Sequence, residues 1–593
     1  MHETELRTST PRARKLSALG LVSLFVCLPG MALGGCGSDE SDGSAAGGTG
    51  GAGGSAQTGG SAGTGAAGSG SGGSSGQPST GGTAGSGGSS GTGGSSGSGG
   101  SSGSAGTDGG GPVTSAVCSA PIALADVSSP TAVIGTGTAA SCTEDALRTA
   151  AAQGGIITFN CGSDPVTIDI TQTIELPNDQ DTVIDGGGTV TLDAGKRTRI
   201  FYFYSANWLF NTHKVVLQRL ALRNGKAPAG EYFPQSSTQP KCAYGYKEGS
   251  GGAIYMRDGI LHVIDCEFYD NEAALEGPDV GGGAIYVQGS KGVVVVGSRF
   301  VGNRGANGGA IGMLYANPQI YDSVFENNTA EGVGMNYVEP GCPMFNHDEQ
   351  GGAGGLAGAV YFDGMNDDGF VYTICGSVFR NNRANELAGA LFRTPNLTVR
   401  QMLIDRSVFD GNTARTGGVS FIKQNDLSVR DTLFVGNRGG VNVAGASVQG
   451  GSGGLWVNQS GLDLVNSTFS DNSPGGLTVE LYGGATATVK NATFANSGSD
   501  SDIRADNSVF VGVSCATTQG SHNVQFPQSG TCPGDTLYQD AKLGALADNG
   551  GPTQTMMPAS DSPVLGIGQS CPATDQRGEP RATSGCDSGA VER

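Results

Sequence analysis

The residues best suited to chemistry are a few acids and histidines. Asp367 and Asp368 form the one adjacent aspartate pair, in DGMNDDGF. Two carboxylates can act as acid and base, or as acid and nucleophile, in glycoside hydrolysis, if neighbouring elements bring them to one face. A polar turn between strands is the reading that weighs more for this pair. Glu339, His347, Asp348 and Glu349 crowd the stretch AEGVGMNYVEPGCPMFNHDEQGGAGG and are candidates for a metal or substrate cluster. His262, Asp265 and Cys266 lie close together in GGAIYMRDGILHVIDCEFYDN. The chain's five histidines are otherwise scattered, so no Ser-His-Asp or Cys-His arrangement can be assembled. There is no CxxC and no Cys/His spacing suited to zinc, so no metal site is expected.

These residues have to be positioned by something, and the chain's self-similarity says what. Phe-x-x-Asn recurs as Phe268/Asn271, Phe300/Asn303, Phe325/Asn328, Phe379/Asn382, Phe409/Asn412, Phe434/Asn437 and Phe469/Asn472, with weaker echoes at Phe494 and Phe510. A glycine or small-residue motif leads the following strand, as in Gly251-Gly252-Ala253-Ile254 and Gly282-Gly283-Ala284-Ile285. Short β-branched runs, turns of Gly, Asn or Asp and a repeat of about 25 residues predict an all-β parallel β-helix, each coil stacking about 4.8 Å on the last. In that fold the Phe residues form a core ladder and the Asn residues a hydrogen-bonded ladder at a turn. The copy after 251–271 carries Val295, Ser298 and Arg299 where the first carries His262, Asp265 and Cys266, so that trio is not part of the repeat. One short capping helix is expected in SCTEDALRTAAAQGG, with Ser141 and Glu144 as a capping box.

The N-terminal fifth is of another kind. Arg7, Arg12, Arg14 and Lys15 precede an apolar run ending in Leu33-Gly34-Gly35-Cys36, which reads as a signal peptide over 1–35 followed by a lipidated Cys36. Residues 36–112 are a Gly/Ser-rich tether that cannot bury enough apolar surface to order itself, with a reach of about 50 Å. The folded part is expected as an N-terminal cap and first coils over 113–225, main repeats over 226–512 with loop insertions at 226–250 and 331–357, and a C-terminal cap over 513–593.

A net charge of −20 excludes nucleic acid and docking on anionic lipid as general modes of action. Eleven of the 13 cysteines lie beyond Cys36, which fits an oxidising compartment. Local pairs are expected between Cys142 and Cys161, Cys515 and Cys532, and Cys571 and Cys586. A longer-range pair is expected between Cys242 and Cys342, because both insertions leave the same edge of the helix, and with an odd number of cysteines at least one must stay unpaired. Aromatics in those insertions, Tyr232, Phe233, Tyr244, Tyr246, Tyr337 and Phe345, could pack the loops down or offer a platform to sugars.

The GGAI and FxxN motifs resemble the passenger repeats of chlamydial polymorphic outer membrane proteins, within the pectin-lyase-like superfamily. That resemblance covers about 250 to 512 and implies right-handed coils. Residues 548 to 592 are similar to the ending of the choice-of-anchor Q family of bacterial surface proteins, and Asp575, Arg577, Arg581 and Asp587 are expected to cap the open end of the helix. Together with the lipobox-like Cys36, these imply a monomeric surface protein of the cell envelope, at the outer membrane and held through its lipid. Its expected partners are cell-surface glycans or proteins. Adhesive, structural or glycan-contacting work without catalysis is the first reading. A polysaccharide lyase or glycoside hydrolase acting on uronate-type glycans is the second, and only the lyase would bring in Ca2+. A carbohydrate-binding module is the third.

Overall fold

Runs of three to six β-branched and aromatic residues, stopped by Gly, Asn or Asp, cannot bury a core alone and must stack on the next copy. The structure is a computed structural model. It describes residues 118–593 apart from 207–208, 229–245, 278, 335–353, 396–397, 449–450, 473–476, 500–502, 515–516, 530–531 and 533. The signal segment, Cys36 and the tether lie outside the described residues. The stacked runs form a parallel β-helix with three ladders per coil. Ladder A runs from Ile174–Leu176 through Phe201–Tyr204, Ile254–Arg257, Val360–Asp363, Leu391–Thr394 and Ser420–Lys423 to Leu455–Asn458 and Leu477–Tyr482. Ladder B begins at Ala132–Ile134 and ends at Thr517–Gln519. Ladder C begins at Val166–Asp169 and carries the phenylalanines. No helix among the described residues is long and apolar enough to cross a membrane.

The rings of Phe268, Phe300, Phe325, Phe379, Phe409, Phe434 and Phe469 are buried in the bore and stack on one another. Their centroids are 4.5 to 5.2 Å apart and their planes within 8° of parallel. Phe494 and Phe510 continue the same stack. At the turn after ladder C, Asn303 Oδ1 accepts from the backbone N–H and the side-chain amide of Asn271, while Asn303 Nδ2 donates to the Phe268 carbonyl. The pattern repeats through Asn328, Asn382, Asn412 and Asn437 to Asn472, where Ser497 Oγ takes over. A left-handed residue before each Asn, such as Asp270, Asn327, Asn381 or Asp471, makes the bend.

A third ladder stands two residues before each Phe. Ser298, Ser323, Ser377, Ser407, Thr432 and Ser467 each accept on their hydroxyl from the backbone N–H of the coil before. Cys266 occupies this register on its own coil and is the one unpaired cysteine among the described residues, buried, with its thiol pushed up to about 12 by burial. The trio of His262, Asp265 and Cys266 therefore has partners one residue earlier than the spacing predicts. His262 pairs with Val294, and Cys266 lies over Ser298, because the coil repeat is 32 residues here.

The two glycines of the leading motif do different jobs. The first, as in Gly251 and Gly282, adopts φ of +68° and +62°. The second is needed for stacking: a Cβ on Gly252 or Gly283 would come within 2.4 or 2.2 Å of the next coil's carbonyl.

Helix α1 (Glu144–Gln153) closes the N-terminal end with Leu147, Ala150 and Ala151. Its N-cap is Thr143 rather than Ser141, whose hydroxyl instead accepts from the Thr136 N–H. Glu144 reaches the backbone N–H groups of Thr171 and Gln172 and ties the helix to the coil beneath. A second α-helical turn among the described residues, α2 (Tyr246–Gly249), ends the first insertion.

Disulfides join Cys142 to Cys161 and Cys571 to Cys586. Cys532 is disulfide-bonded, while Cys515, Cys242 and Cys342 lie outside the described residues. Cys118 is bonded to Cys375, 257 residues away. The first described residue is thereby held halfway along the rod, at the corner between ladders B and C, where Cys118 N–H also meets Asp322.

The C-terminal block does not close the open end. Gln525, Cys532 and Tyr538 do that, beneath Phe510. Residues 541–593 instead clasp the outer side of ladder C over the last coils. Val564 and Ala541 pack on Val509 and Val524, Gln576 accepts from Thr468 Oγ1, and the Ala590 N–H donates to Thr493. Asp575, Arg577, Arg581 and Asp587 hold the clasp together: Asp575 pairs with Arg577, and Arg581 with Glu592 and the Asp587 carbonyl.

Candidate binding face

With the inward positions given over to ladders, the outer side of ladder A is where the coils differ. The second residue of each A strand points outward, and the row reads Tyr202, Tyr255, Tyr286, Gly312, Tyr361, Phe392, Phe421 and Trp456. The row is an apolar cluster separate from the bore. Segments leading into the glycine motif cover its middle, through Leu356, Ala357, Leu387 and Ala388. Both long insertions join the rod on this same edge, one ending in α2 before Ile254 and the other at Leu356 before Val360. A Cβ at Gly312 would strike the Tyr286 ring, which fills that gap in the row.

The covered middle contains the one place where described carboxylates share a hydroxyl. Tyr361 Oη lies 2.8 Å from Asp279 Oδ1 and 3.1 Å from Asp363 Oδ2. Those oxygens are thus within about 6 Å of each other, near the separation of a retaining glycosidase pair. The phenol fills the space between them, however, and Asp279 and Asp363 are only 2% and 5% exposed. Tyr286 donates to the Asp279 carbonyl, and burial pushes the hydroxyls of Tyr286 and Tyr361 well up from the ordinary tyrosine range. The chemistry of this cluster is that of a buried clamp, pinning the 279–283 segment onto the row.

The sequence's acidic candidates fall elsewhere. Asp367 sits beside the A–B corner, paired with Lys291 at 3.2 Å and hydrogen-bonded by the Asn317 amide, and the Asn317 bond comes first in holding its carboxyl low. Asp368 is 91% exposed and paired with Arg400. Their turn is braced from within the bore by Arg393, which donates to Gly364 O and Asn366 Oδ1 and lies 4.0 Å over the Phe362 ring. Burial pulls the Arg393 guanidinium down to about 9. Asp367 and Asp368 form a braced polar turn, and Glu339, His347, Asp348 and Glu349 lie outside the described residues. No group of three or more His, Cys, Asp or Glu is placed to hold a metal among the described residues.

The row is open at its N-terminal end. Tyr202 and Tyr204 stand side by side with planes 8° apart. On their C-terminal side Tyr255 stacks on Tyr202 and the Arg257 guanidinium lies over Tyr204. Toward the N-terminus, Glu175 is the ladder partner of Tyr202, and a cleft of about 360 Å³ is lined by Glu175, Pro177, Asn178, Asp179 and the two tyrosines. It adjoins a second cleft of about 430 Å³, which shares Asn178 and Asp179 and is walled by Phe210, Asn211 and His213. Tyr204 is 40% exposed and Phe210 83%. Sequence reasoning placed the aromatics of interest in the insertions. The signal it missed was the aromatic at a fixed offset from the glycine motif.

No family model and no curated protein matches the sequence, so the likeness of the repeats and of the C-terminal block to known families rests on their motifs alone. Two solved structures of PfbA, a surface adhesin of Streptococcus pneumoniae, align with 64% of this chain and with 82% and 87% of theirs. Each shows 15% identity and a TM-score of 0.33. A likeness at that level does not speak to what this chain does.

Proposed function

We propose that the protein is a lipid-anchored, surface-exposed β-helix of the bacterial cell envelope, at the outer membrane, that works as a monomer by contact with glycans or proteins and not by turnover. The observation that carries this is the face of ladder A, where the outer aromatic row, both insertion edges and the open clefts at Tyr202 and Tyr204 come together. The chain enters the rod at Cys118, on the B–C corner, which ladder A does not share.

The test has two arms. Mass spectrometry of the membrane-extracted protein is expected to find an acylated Cys36 at the mature N-terminus, and Cys36→Ser is expected to release the protein into the medium. The soluble exported chain is expected to attach to cells or to isolated envelope polysaccharide in a saturable way. Attachment no better than that of a heat-unfolded sample would count against the reading.

The hydrolase reading draws on one observation, the Asp279–Tyr361–Asp363 cluster. It requires new reducing or unsaturated ends when the exported chain is incubated with polysaccharides, with and without calcium, and their loss in Asp363→Asn.

A further inference from the structure

We infer that the open cleft at the N-terminal end of the outer aromatic row is a pyranose-binding subsite for a glycan that carries no acidic groups. This rests on the contact function proposed above and names the chemistry of the contact.

Three features make the cleft a built site. The first is its floor. Two tyrosine rings lie nearly parallel and side by side, with their C-terminal faces taken by Tyr255 and Arg257, so the faces turned toward Glu175 and Asn178 line the cleft. A sugar ring presents a flat patch of C–H groups that stacks on such a surface, while its hydroxyls remain at the rim. The second feature is that rim. Glu175 and Asp179 are exposed carboxylates that accept hydrogen bonds from sugar hydroxyls. The Asn178 side chain is fixed by donating to the Tyr204 carbonyl, and the Asn178 carbonyl takes the Asn211 amide, so the lip is held in place across two coils.

The third feature is the cost of keeping this shape. Several coils join ladders A and B by a tight turn, such as Asp258–Gly259, whereas in this coil strand A ends at Tyr204 and strand B begins at Lys214, and Phe210 between them stands in solvent. Neither the exposed Phe210 nor the exposed Tyr204 serves the core, since this coil fills the bore with Phe201 and Phe203. The adjoining clefts, at about 360 and 430 Å³, are each of a size that suits a sugar ring.

Charge decides the class of glycan. The lining of the first cleft contains Glu175 and Asp179 and no cation. In the second, His213 is paired with Asp181. Beside the floor, Lys247 and Arg199 lie 5.2 and 5.7 Å from the Tyr202 ring centroid, Arg199 donating to the Lys247, Ser250 and Gly251 carbonyls, and Arg257 donates to the Ser205 carbonyl while stacking on Tyr204. Glu175 and Asp179, the charged groups of the lining itself, meet the rim of a bound sugar, which disfavours a uronate or sulfated sugar and suits a neutral or amine-bearing pyranose.

The experiment uses the exported chain from residue 36 onward with three probes: triacetylchitotriose (neutral), chitotriose (amine-bearing) and trigalacturonate (acidic). Binding is read by calorimetry and saturation-transfer NMR, and attachment to cells is measured in parallel. The neutral or the amine-bearing trimer, or both, are expected to bind, and trigalacturonate is not. Tyr204→Ala is expected to weaken binding at least tenfold at unchanged melting temperature, with Tyr204→Phe keeping most of it. Glu175→Gln is expected to weaken chitotriose more than its acetylated form. Binding of trigalacturonate above the other two, no binding of either non-acidic trimer, or affinity untouched by Tyr204→Ala would each overturn the subsite. If wild-type and Tyr204→Ala proteins attach to cells equally, the subsite fails while the adhesive reading stands. If the wild type does not attach at all, the adhesive reading itself fails.

Discussion

Two stacks of aromatic rings run along the same coils, one inside the bore and one outside ladder A, and they follow different rules. The inner stack is a single residue type, from Phe268 to Phe510, with all planes within 8° of parallel. The outer row mixes Tyr, Gly, Phe and Trp, and crosses nearly edge-on where Phe421 meets Trp456. Its hydroxyls are engaged individually, Tyr255 with Gln288 and Tyr361 with Asp279 and Asp363. Inside, each ring meets the same neighbour on every coil, so one residue satisfies all positions. Outside, each ring meets a different loop, so each position has its own solution. Uniformity marks what holds the rod together, and variety marks where a partner can be told apart.

The largest expected effect breaks the inner stack. Phe325→Ala leaves a cavity between Phe300 and Phe379 that the stacked coils cannot close, and about 3–5 kcal/mol of stability is expected to go, read by denaturant unfolding. Because coils support only their neighbours, the loss is expected to appear first as raised hydrogen exchange in residues 300–380.

Next comes the Asn ladder. Asn382→Ala removes the acceptor of the Asn328 backbone N–H and of one of its side-chain N–H groups, and the side-chain donor to the Phe325 carbonyl, at a cost of about 1–3 kcal/mol. If Asn382→Ser kept nearly full stability, as Ser497 does at the end of the ladder, the need at this turn would be for an acceptor and not for the whole amide.

A smaller effect is tied to pH. Asp431 sits at the B–C corner under the C-terminal clasp, and burial raises its carboxyl to about 6 even though the Asn466 amide hydrogen-bonds it. Its folded pKa lies above its unfolded one, so its contribution to stability is full below about pH 4 and is lost as pH rises through about 6. Asp431→Asn is therefore expected to stabilise the fold by on the order of 2 kcal/mol at pH 8 and by little at pH 4. An equal gain at both values would point to a cause other than the charge. The smallest expected effect on stability is that of Tyr204→Ala, within about 0.5 kcal/mol, because no core depends on an exposed ring. A large loss there would merge the two stacks into one structural role.

What repeated could be read in the sequence. Phe-x-x-Asn recurs and marks ladder C and its turn; the Ser and Thr of SVF, DTLF and STF were visible as letters, but only the coil-to-coil hydrogen bonds give them a role. Cys266 is hard to place until its register beside Ser298 is known. The one-residue slip in the partners of His262 arose because coil length varies and nothing in the local pattern fixes it. Cys118 with Cys375 is a contact between segments 257 residues apart, and no spacing rule reaches that far. The outer row was overlooked because buried outward-facing aromatics look like ordinary strand residues until the loops above them are seen. Polar residues in a C-terminal block suggest an end cap, whereas the outer side of ladder C, with Val509 and Val524 outward, offers the block a larger apolar surface.

The central claim is that contact happens at the outer face of ladder A and not along the repeat. Hydrogen–deuterium exchange of the exported chain, with and without the bound glycan, tests it most directly. Slowed exchange is predicted in peptides covering 174–179 and 201–213, with no change along the phenylalanine strands of ladder C. Protection centred on the Asp367–Asp368 turn or on the C-terminal clasp, with 174–213 unchanged, would contradict it.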